Sequence, residues 1–279
     1  MRKINTEQIY AAVKEMALHC CCNVDEGTLN LLQKAEEREI CPAAKFALQT
    51  IIKSDLKAAE QNVPACQDTG MAVIFLDVGQ DVFLEGEFVE DAINRGIREA
   101  YEEGFFRKSV LDPLTRVNTK TNLPAVIHTG ITKGDKVKVS FLAKGFGSEN
   151  MSRVYMLTPS QGMEGIIDSV VETVKYAGSN PCPPVVIGVG IGGTFEKAAI
   201  MSKRALLREA NSVNEDETLF QLEKTLLEKI NETDVGAQGF GGNNTCLAVY
   251  AEKYPTHLAG LPLAINVQCH SVRHMTKEI

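Results

Sequence analysis

The hydrophobic residues near the start of the chain recur at helical spacing. Val13 lies four positions after Ile9, Met16 and Ala17 lie three and four positions after Val13, and Asn5 before them is a typical N-cap residue. Similar patterns, bounded by proline, glycine or polar residues, continue along the chain. They predict seven helices, which cover residues 5–22, 28–38, 42–62, 87–103, 162–176, 194–209 and 215–230.

Two other patterns indicate strands. Residues 136–142 alternate between polar and hydrophobic side chains, and residues 185–189 form a continuous apolar run. Strands are predicted at residues 71–78, 136–142, 185–189, 245–251 and 261–267. Because helices and strands alternate without a linker or repeat, we predict an α/β fold with a single domain of mixed β-sheet flanked by helices. Its N-terminal helical part covers about residues 1–62, and residues 63–279 carry the motifs described below.

The composition narrows the classes of function. Hydrophobic residues make up 44% and charged residues 23% of the chain, which is typical of a globular protein. A net charge of −7 argues against nucleic acid as a partner and means that an anionic substrate would need a local basic site. The sequence has no apolar run of membrane-spanning length and no signal-peptide pattern. We therefore expect no membrane association and a cytoplasmic location.

The eight cysteines fall into two groups. Cys20, Cys21 and Cys22 are successive helical residues whose side chains point about 100° apart, so they cannot all face one metal. Cys41 and Cys246 lie at a helix start and in an apolar strand, where a cysteine is usually a small structural residue.

The other three cysteines, Cys66, Cys182 and Cys269, lie in loops at the edges of predicted strands, with proline, glycine or polar neighbours. No C-x-x-C pair occurs, which argues against a zinc ribbon, a thioredoxin-like site and a ferredoxin. Spacing alone leaves open whether these three share a metal or are structural.

A glycine-rich segment at residues 188–193 matches G-x-G-x-x-G after a strand and before a helix. A dinucleotide site would need a second strand with an acidic end after that helix, but residues 211–232 predict a turn and another helix. We therefore interpret the segment as a glycine-rich turn between a strand and a helix.

Several longer motifs resemble the alpha-type catalytic domain of class I fumarases. The matching segments run in order from about Asn62 to His274: residues 64–70 (PACQDTG), 144–150 (KGFGSEN), 180–190 (NPCPPVVIGVG), 239–242 (GFGG), 257–262 (HLAGLP) and 269–274 (CHSVRH). The alpha subunit of L-tartrate dehydratase, in the same family, shares the first two cysteine motifs. Residues 147–150 and 261–274 are more similar to fumarase, so the sequence favours fumarate over tartrate.

The resemblance implies a [4Fe–4S] cluster held by Cys66, Cys182 and Cys269, with one iron left without a protein ligand. It implies reversible hydration of fumarate to (S)-malate; the alternative is dehydration of tartrate to oxaloacetate. An open iron can act as a Lewis acid on a hydroxyl group, whereas a fourth cysteine would leave only an electron carrier. A non-catalytic electron-transfer protein is the more distant alternative.

The same resemblance implies roles for residues near the cysteines. Asp68 is an acid/base group, and Gln67, Arg107, Gly147 and His257 contact the dicarboxylate substrate. The structural alternatives are a turn-capping Asp68, a surface arginine and a histidine that only supports its loop.

Five further residues are weaker candidates for the site. Arg116 is the alternative to Arg107, and Gly145 the alternative to Gly147. His270, Arg273 and His274 either surround the third cysteine or are ordinary solvated side chains.

The resemblance also implies a partner. The chain ends ten residues after Cys269, whereas larger single-chain class I fumarases continue into a second domain that completes the site. We therefore expect a separate beta subunit, in an α2β2 assembly, and little activity from this chain alone.

Overall fold

The computed structural model describes all residues from Met1 to Ile279 and contains eight α-helices and ten strands. The helices are α1 Thr6–Cys22, α2 Glu26–Arg38, α3 Pro42–Gln61, α4 Val89–Glu103, the single turn α5 Phe146–Glu149, α6 Gly162–Ala177, α7 Phe195–Ala205 and α8 Glu217–Asn231. The strands are β1 Arg2–Asn5, β2 Met71–Gly79, β3 Val82–Glu85, β4 Val126–Thr132, β5 Val137–Lys144, β6 Arg153–Leu157, β7 Val185–Gly192, β8 Cys246–Tyr254, β9 Leu261–Gln268 and β10 His274–Glu278. The predicted α/β class with mixed sheets and flanking helices is confirmed.

The chain forms two compact units that alternate along the sequence. The first unit consists of residues 1–25, 55–146 and 273–279, and the second of residues 26–54 and 147–272. The division near residue 62 into a helical and a motif-bearing part stays a prediction. No helix is both long enough and apolar enough to cross a membrane.

The first unit is built on a four-stranded sheet in the order β10-β5-β2-β4. β2 pairs in parallel with β4 and antiparallel with β5, which also pairs antiparallel with β10. α1 packs on α4 and on β5, and buried Val13, Met16, Ile93 and Phe141 belong to the core they share. The predicted cap of α1 is confirmed, because the Asn5 side chain accepts a hydrogen bond from the Glu7 backbone N–H.

The second unit is built on the sheet β6-β9-β7-β8, in which β9 runs antiparallel to β6 and β7 while β8 runs parallel to β7. One face packs on α6 and α8 through a core that includes Val170, Leu226, Ile187 and Ile265.

Most of the segment predicted as a glycine-rich turn lies in β7 instead, where α7 packs against the other face of the strand. A Cβ atom on Gly188 would lie 2.0 Å from the Ser202 carbonyl oxygen, and one on Gly190 would lie 2.2 Å from that of Ala198. Both positions must therefore be glycine for α7 to pack this closely. The packing of a helix on a strand explains these glycines without a nucleotide.

Candidate active site

The first unit brings three chain segments to one edge of its sheet. β2 begins at Met71 opposite Lys144, the last residue of β5, and β10 begins at His274 opposite Leu142. The loop before β2, the residues after β5 and the residue before β10 therefore meet at this edge. Three predicted site residues, Cys66, Gln67 and Asp68, lie in that loop.

Asp68 is held by both its side chain and its backbone. Its Oδ2 accepts a hydrogen bond from the Phe146 backbone N–H at 2.8 Å, and its carbonyl oxygen accepts one from Arg273 Nη2 at 3.0 Å. Gly145 lies against this pair, because a Cβ there would be 3.4 Å from Asp68 Oδ2 and 3.5 Å from Arg273 Nη2. The hydrogen bond to Phe146 uses Oδ2, so Oδ1 is the candidate oxygen for the predicted proton exchange.

Arg273 is only 1% exposed and is one of the largest fully buried side chains. Of the two alternatives for Arg273, the ordinary solvated charge is therefore wrong. Burial raises the pKa of nearby Asp55 to about 7, an effect that the positive charge of Arg273 partly opposes. The guanidinium is thus a buried cation beneath the loop that carries Asp68, where a charge must be engaged by polar groups to be tolerated.

The loop from Cys66 to Gly70 is fixed at both ends. The Ala65 backbone N–H donates to the Cys21 carbonyl at 3.0 Å, and the Gly70 carbonyl accepts from the Tyr101 hydroxyl and from Asn122 Nδ2, each at 3.1 Å. Gly70 has φ +83°, and a Cβ there would lie 2.3 Å from the Lys144 carbonyl oxygen. No other residue fits this close approach to β5.

Asn122 connects this loop to the segment that carries both candidate arginines. It is fully buried, and its Oδ1 accepts from the backbone N–H groups of Ser109, at 2.7 Å, and Val110. Arg107 is exposed two residues before Ser109. Arg116 is exposed in a separate turn, where its N–H donates to the Asp112 carbonyl at 3.0 Å. The choice of Arg107 over Arg116 as the substrate residue stays a prediction.

The second unit places two further candidate ligands at one edge of its own sheet. β7 begins at Val185, three residues after Cys182, and β9 ends at Gln268, immediately before Cys269; Val186 pairs with Gln268. Cys182 and Cys269 therefore flank the same edge. Cys182 is exposed and Cys269 half-buried.

Polar contacts fix the loop that carries Cys182. The Pro183 carbonyl accepts from the Gln238 backbone N–H at 2.8 Å and from Gln238 Nε2 at 2.9 Å. Gly147 lies against the same loop, since a Cβ there would be 3.4 Å from the Asn180 carbonyl oxygen. The structure thus brings Gly147 to the Cys182 loop, and its contact with substrate stays a prediction.

His257 lies elsewhere in the second unit. It is exposed in the turn between the end of β8 and the start of β9, and its Nδ1 accepts from the Ala259 N–H at 3.2 Å. Cys269 follows the other end of β9, a strand of eight residues, which spans roughly 25 Å. The structure therefore does not bring His257 to the edge that carries the two cysteines, and its contact with substrate stays a prediction.

The other five cysteines are poorer candidates for metal ligands than Cys66, Cys182 and Cys269. Cys20, Cys21, Cys22 and Cys246 are buried, and desolvation raises the pKa of the Cys21 and Cys246 thiols to about 12. A metal binds the thiolate, which burial disfavours at these positions. Cys41 is half-buried, and its Sγ donates to the Phe240 carbonyl at 3.4 Å.

Similarity to known proteins covers nearly the whole chain. The family model described as fumarate hydratase (Fumerase) matches residues 10–278. The chain belongs to this family of hydro-lyases.

Members of the fumarate hydratase family with curated names are similar over most of their length. A protein of Methanocaldococcus jannaschii, provisionally named L(+)-tartrate dehydratase subunit alpha, is 39% identical over 278 residues, which cover 98% of each chain. The L(+)-tartrate dehydratase alpha subunits of Escherichia coli strains UTI89 and K12 are each 30% identical, over 258 and 255 residues. They cover 91% and 90% of this chain and 85% and 84% of their own length. The predicted family is confirmed, while these names agree with the tartrate alternative.

The donor set fits the iron–sulfur cluster predicted from the family resemblance. Iron–sulfur clusters are bound by thiolates, and Cys66, Cys182 and Cys269 are the cysteines in polar strand-edge loops. No three His, Cys, Asp or Glu side chains are grouped as they would be around a single metal ion. Cys66 belongs to the first unit and the other two cysteines to the second, so a shared cluster stays a prediction.

Three contacts in this fumarate hydratase family member were not anticipated. The side chains of Asn122, Gln238 and Gln268 fix the segments around the cysteines, and each is bonded to backbone that lies in a loop. Asn122 and Gln238 have positive φ values of 61° and 54°, which sequence does not reveal. The one available signal was the position of Gln268 directly before Cys269.

Proposed function

We propose that this chain is the alpha subunit of a hydro-lyase that removes water from a small 2-hydroxydicarboxylate, or adds it back, at a [4Fe–4S] cluster bound by Cys66, Cys182 and Cys269. The observation that carries the proposal is the position of Asp68. It lies two residues from a candidate ligand, is fixed through Oδ2 and its carbonyl, and has Oδ1 as the candidate oxygen for proton exchange.

When bound, a cluster with one iron free of protein ligands supplies a Lewis acid for the loss or addition of hydroxide. Asp68 would move the proton, accepting or donating it at Oδ1 while Oδ2 stays bonded to the Phe146 N–H. Such proton transfer needs a group within hydrogen-bond reach of the substrate hydroxyl. The fixed backbone of Asp68 is suited to hold that geometry.

The two substrate carboxylates require cationic and N–H donors. Arg107 is exposed, and its guanidinium can bind a carboxylate through two parallel hydrogen bonds. Gly147, which has no side chain to block approach, offers its backbone N–H, and Gln67 offers a side-chain amide. These groups would orient the substrate so that its hydroxyl faces Asp68.

Tartrate is the substrate best supported. The M. jannaschii relative, similar over 98% of its length, and the E. coli relatives all carry the name of L(+)-tartrate dehydratase. Fumarate and malate are the second candidate, because residues 147–150 and 261–274 resemble fumarase and the family model is described as fumarate hydratase.

A beta subunit is part of the proposal. The named relatives are alpha subunits, which supports a separate beta subunit. An α2β2 assembly is the stoichiometry that we expect. We expect the chain without its partner to assemble a cluster yet turn over substrate very slowly.

The test is anaerobic co-expression with the candidate beta subunit, followed by kcat/KM for both tartrate enantiomers, (S)-malate and fumarate. We expect the highest value for L(+)-tartrate. A higher value for malate and fumarate would select the second candidate. A complex with an intact cluster that turns over none of the four would contradict the hydro-lyase and support an electron carrier.

A further inference from the structure

Gln268 and Asn266 are the two polar residues of the otherwise apolar strand β9. Gln268 ends β9 and is fully buried, whereas Leu263, Ile265 and Val267 of the same strand face the core beneath α6 and α8. Because side chains alternate along a strand, Gln268 lies on the opposite face together with Asn266. A buried amide is unfavourable unless its polar atoms are bonded, so its contacts show why it is there.

The amide nitrogen of Gln268 makes two contacts with the turn that follows β9. Nε2 lies 3.6 Å from Cys269 Sγ and donates to the Ser271 carbonyl oxygen at 3.1 Å. The amide oxygen Oε1 is buried without a hydrogen-bond partner. The orientation of the amide is therefore set by its two N–H groups, and its oxygen is left unsatisfied.

The hydrogen bonds around Cys269 depend on whether its sulfur carries a proton. As a thiol, Cys269 can donate through Sγ to the Ser271 carbonyl, which lies 3.7 Å away. A thiolate bound to iron has lost that proton and can only accept. The Ser271 carbonyl would then still be bonded to Gln268, and the sulfur would still have an N–H donor directed at it.

We propose that Gln268 is a positioning residue for Cys269, and that its amide donates an N–H···S hydrogen bond to the sulfur when the cluster is bound. The inference rests on the proposed function, since it assumes that Cys269 is a ligand. Hydrogen bonds to ligand sulfurs stabilise the more negative, reduced cluster and raise its reduction potential. Gln268 would thus set both the position of the sulfur and the electron density at the iron.

Gln238 provides a matched control. Its Nε2 also donates to a backbone carbonyl in a cysteine loop, that of Pro183, at 2.9 Å, but it is directed at no sulfur. Gln238→Met and Gln268→Met each remove one such bond within the second unit and keep the length of the side chain. A purely structural role for Gln268 predicts similar behaviour of the two variants.

The experiment is a reduction-potential measurement, followed by electron paramagnetic resonance, on the full chain reconstituted anaerobically with iron and sulfide. We expect Gln268→Met to lower the potential and Gln268→Glu, which places an anion beside the sulfur, to lower it further. Gln238→Met should keep the wild-type potential. All three should lower the midpoint of thermal unfolding.

The outcomes separate the two proposals. If the wild-type chain binds no cluster, the proposed function and this inference both fall. If it binds a cluster and Gln268→Met keeps the wild-type potential, or if Gln238→Met shifts it equally, only the inference about Gln268 is overturned.

Discussion

The two units carry their candidate site residues at a sheet edge in the same way but fix them by different means. In the first unit, a carboxylate and a buried guanidinium, those of Asp68 and Arg273, hold the cysteine loop. In the second, the neutral amides of Gln238 and Gln268 do so. Hydrogen bonds of ionised groups are roughly twice as strong as neutral ones, and a carboxylate can take up and release a proton, whereas an amide cannot. This difference agrees with the proposed proton transfer by Asp68 in the first unit and with the proposed positioning of Cys269 by Gln268 in the second.

The largest expected effect comes from removing the proton-transfer group of the first unit. In the complex with the beta subunit, Asp68→Asn should lower kcat by roughly 10²–10⁴-fold, the usual contribution of a general acid or base. The amide can still accept from the Phe146 N–H, so iron content should stay at the wild-type value. The measurement is kcat alongside an iron count.

Asp216→Asn in the second unit is the control, because Asp216 caps α8 and accepts from the Leu219 N–H at 3.2 Å. We expect it to affect stability alone. A kcat for Asp68→Asn within a few-fold of wild type would contradict the proposal that Asp68 transfers the proton.

A second effect concerns stability and pH in the first unit. Asp55 is 4% exposed, its Oδ2 lacks a hydrogen-bond partner, and its pKa is raised to about 7 by burial. Because burial raises the pKa of Asp55 only in the folded state, the folded protein holds this proton more tightly than the unfolded chain does. Stability is then lost as pH rises from about 4 to about 7, by roughly 4 kcal/mol at about 1.4 kcal/mol per unit.

Asp55→Asn removes this titration. The variant should therefore have a higher unfolding free energy than wild type, and the difference between them should be larger at pH 8 than at pH 5. Glu223 of the second unit offers the contrast, because it is bonded to Arg208 and to the Ala251 N–H. Glu223→Gln weakens these bonds and should lower stability at both pH values. Denaturant unfolding at the two pH values measures these free energies. The same difference between Asp55→Asn and wild type at pH 5 and pH 8 would contradict the prediction.

The smallest effect distinguishes the two arginines of the first unit. Arg107→Lys should raise the KM for the dicarboxylate by roughly 10- to 100-fold, since lysine cannot replace a two-bond contact with a carboxylate. Arg116→Lys, in the turn around Asp112, should leave KM near wild type. Steady-state kinetics of the complex give both values, and the reverse order would identify Arg116 as the substrate residue.

The sequence predicted the long elements well because their patterns are local. All seven long helices and the five predicted strands are present, although α7 ends at Ala205 rather than near residue 209. The strands β1, β3, β4, β6 and β10 were not predicted. They are short or largely exposed, and they are defined by pairing with distant segments, as Arg2 of β1 pairs with Val82 of β3.

In the candidate site, too, the features within one motif could be predicted and the contacts between distant segments could not. Cys66 and Asp68 share one short motif, and their proximity could be predicted from it. The burial of Arg273 could not, because charged residues are seldom fully buried and its contact with Asp68 joins segments 205 residues apart. The role of Gln238 depends on a bond to Pro183, 55 residues away. The distance of His257 from Cys269 depends on the length of β9, which motif similarity does not consider.

The most direct test of the central claim is an iron and sulfide count on single cysteine variants assembled anaerobically with the beta subunit. Wild type should hold about four irons per chain. Cys66→Ser, Cys182→Ser and Cys269→Ser should each lose most of that iron, while Cys41→Ser should keep it. Full iron content in any one of the first three variants, or a wild-type chain that takes up no iron, would contradict the three-cysteine cluster.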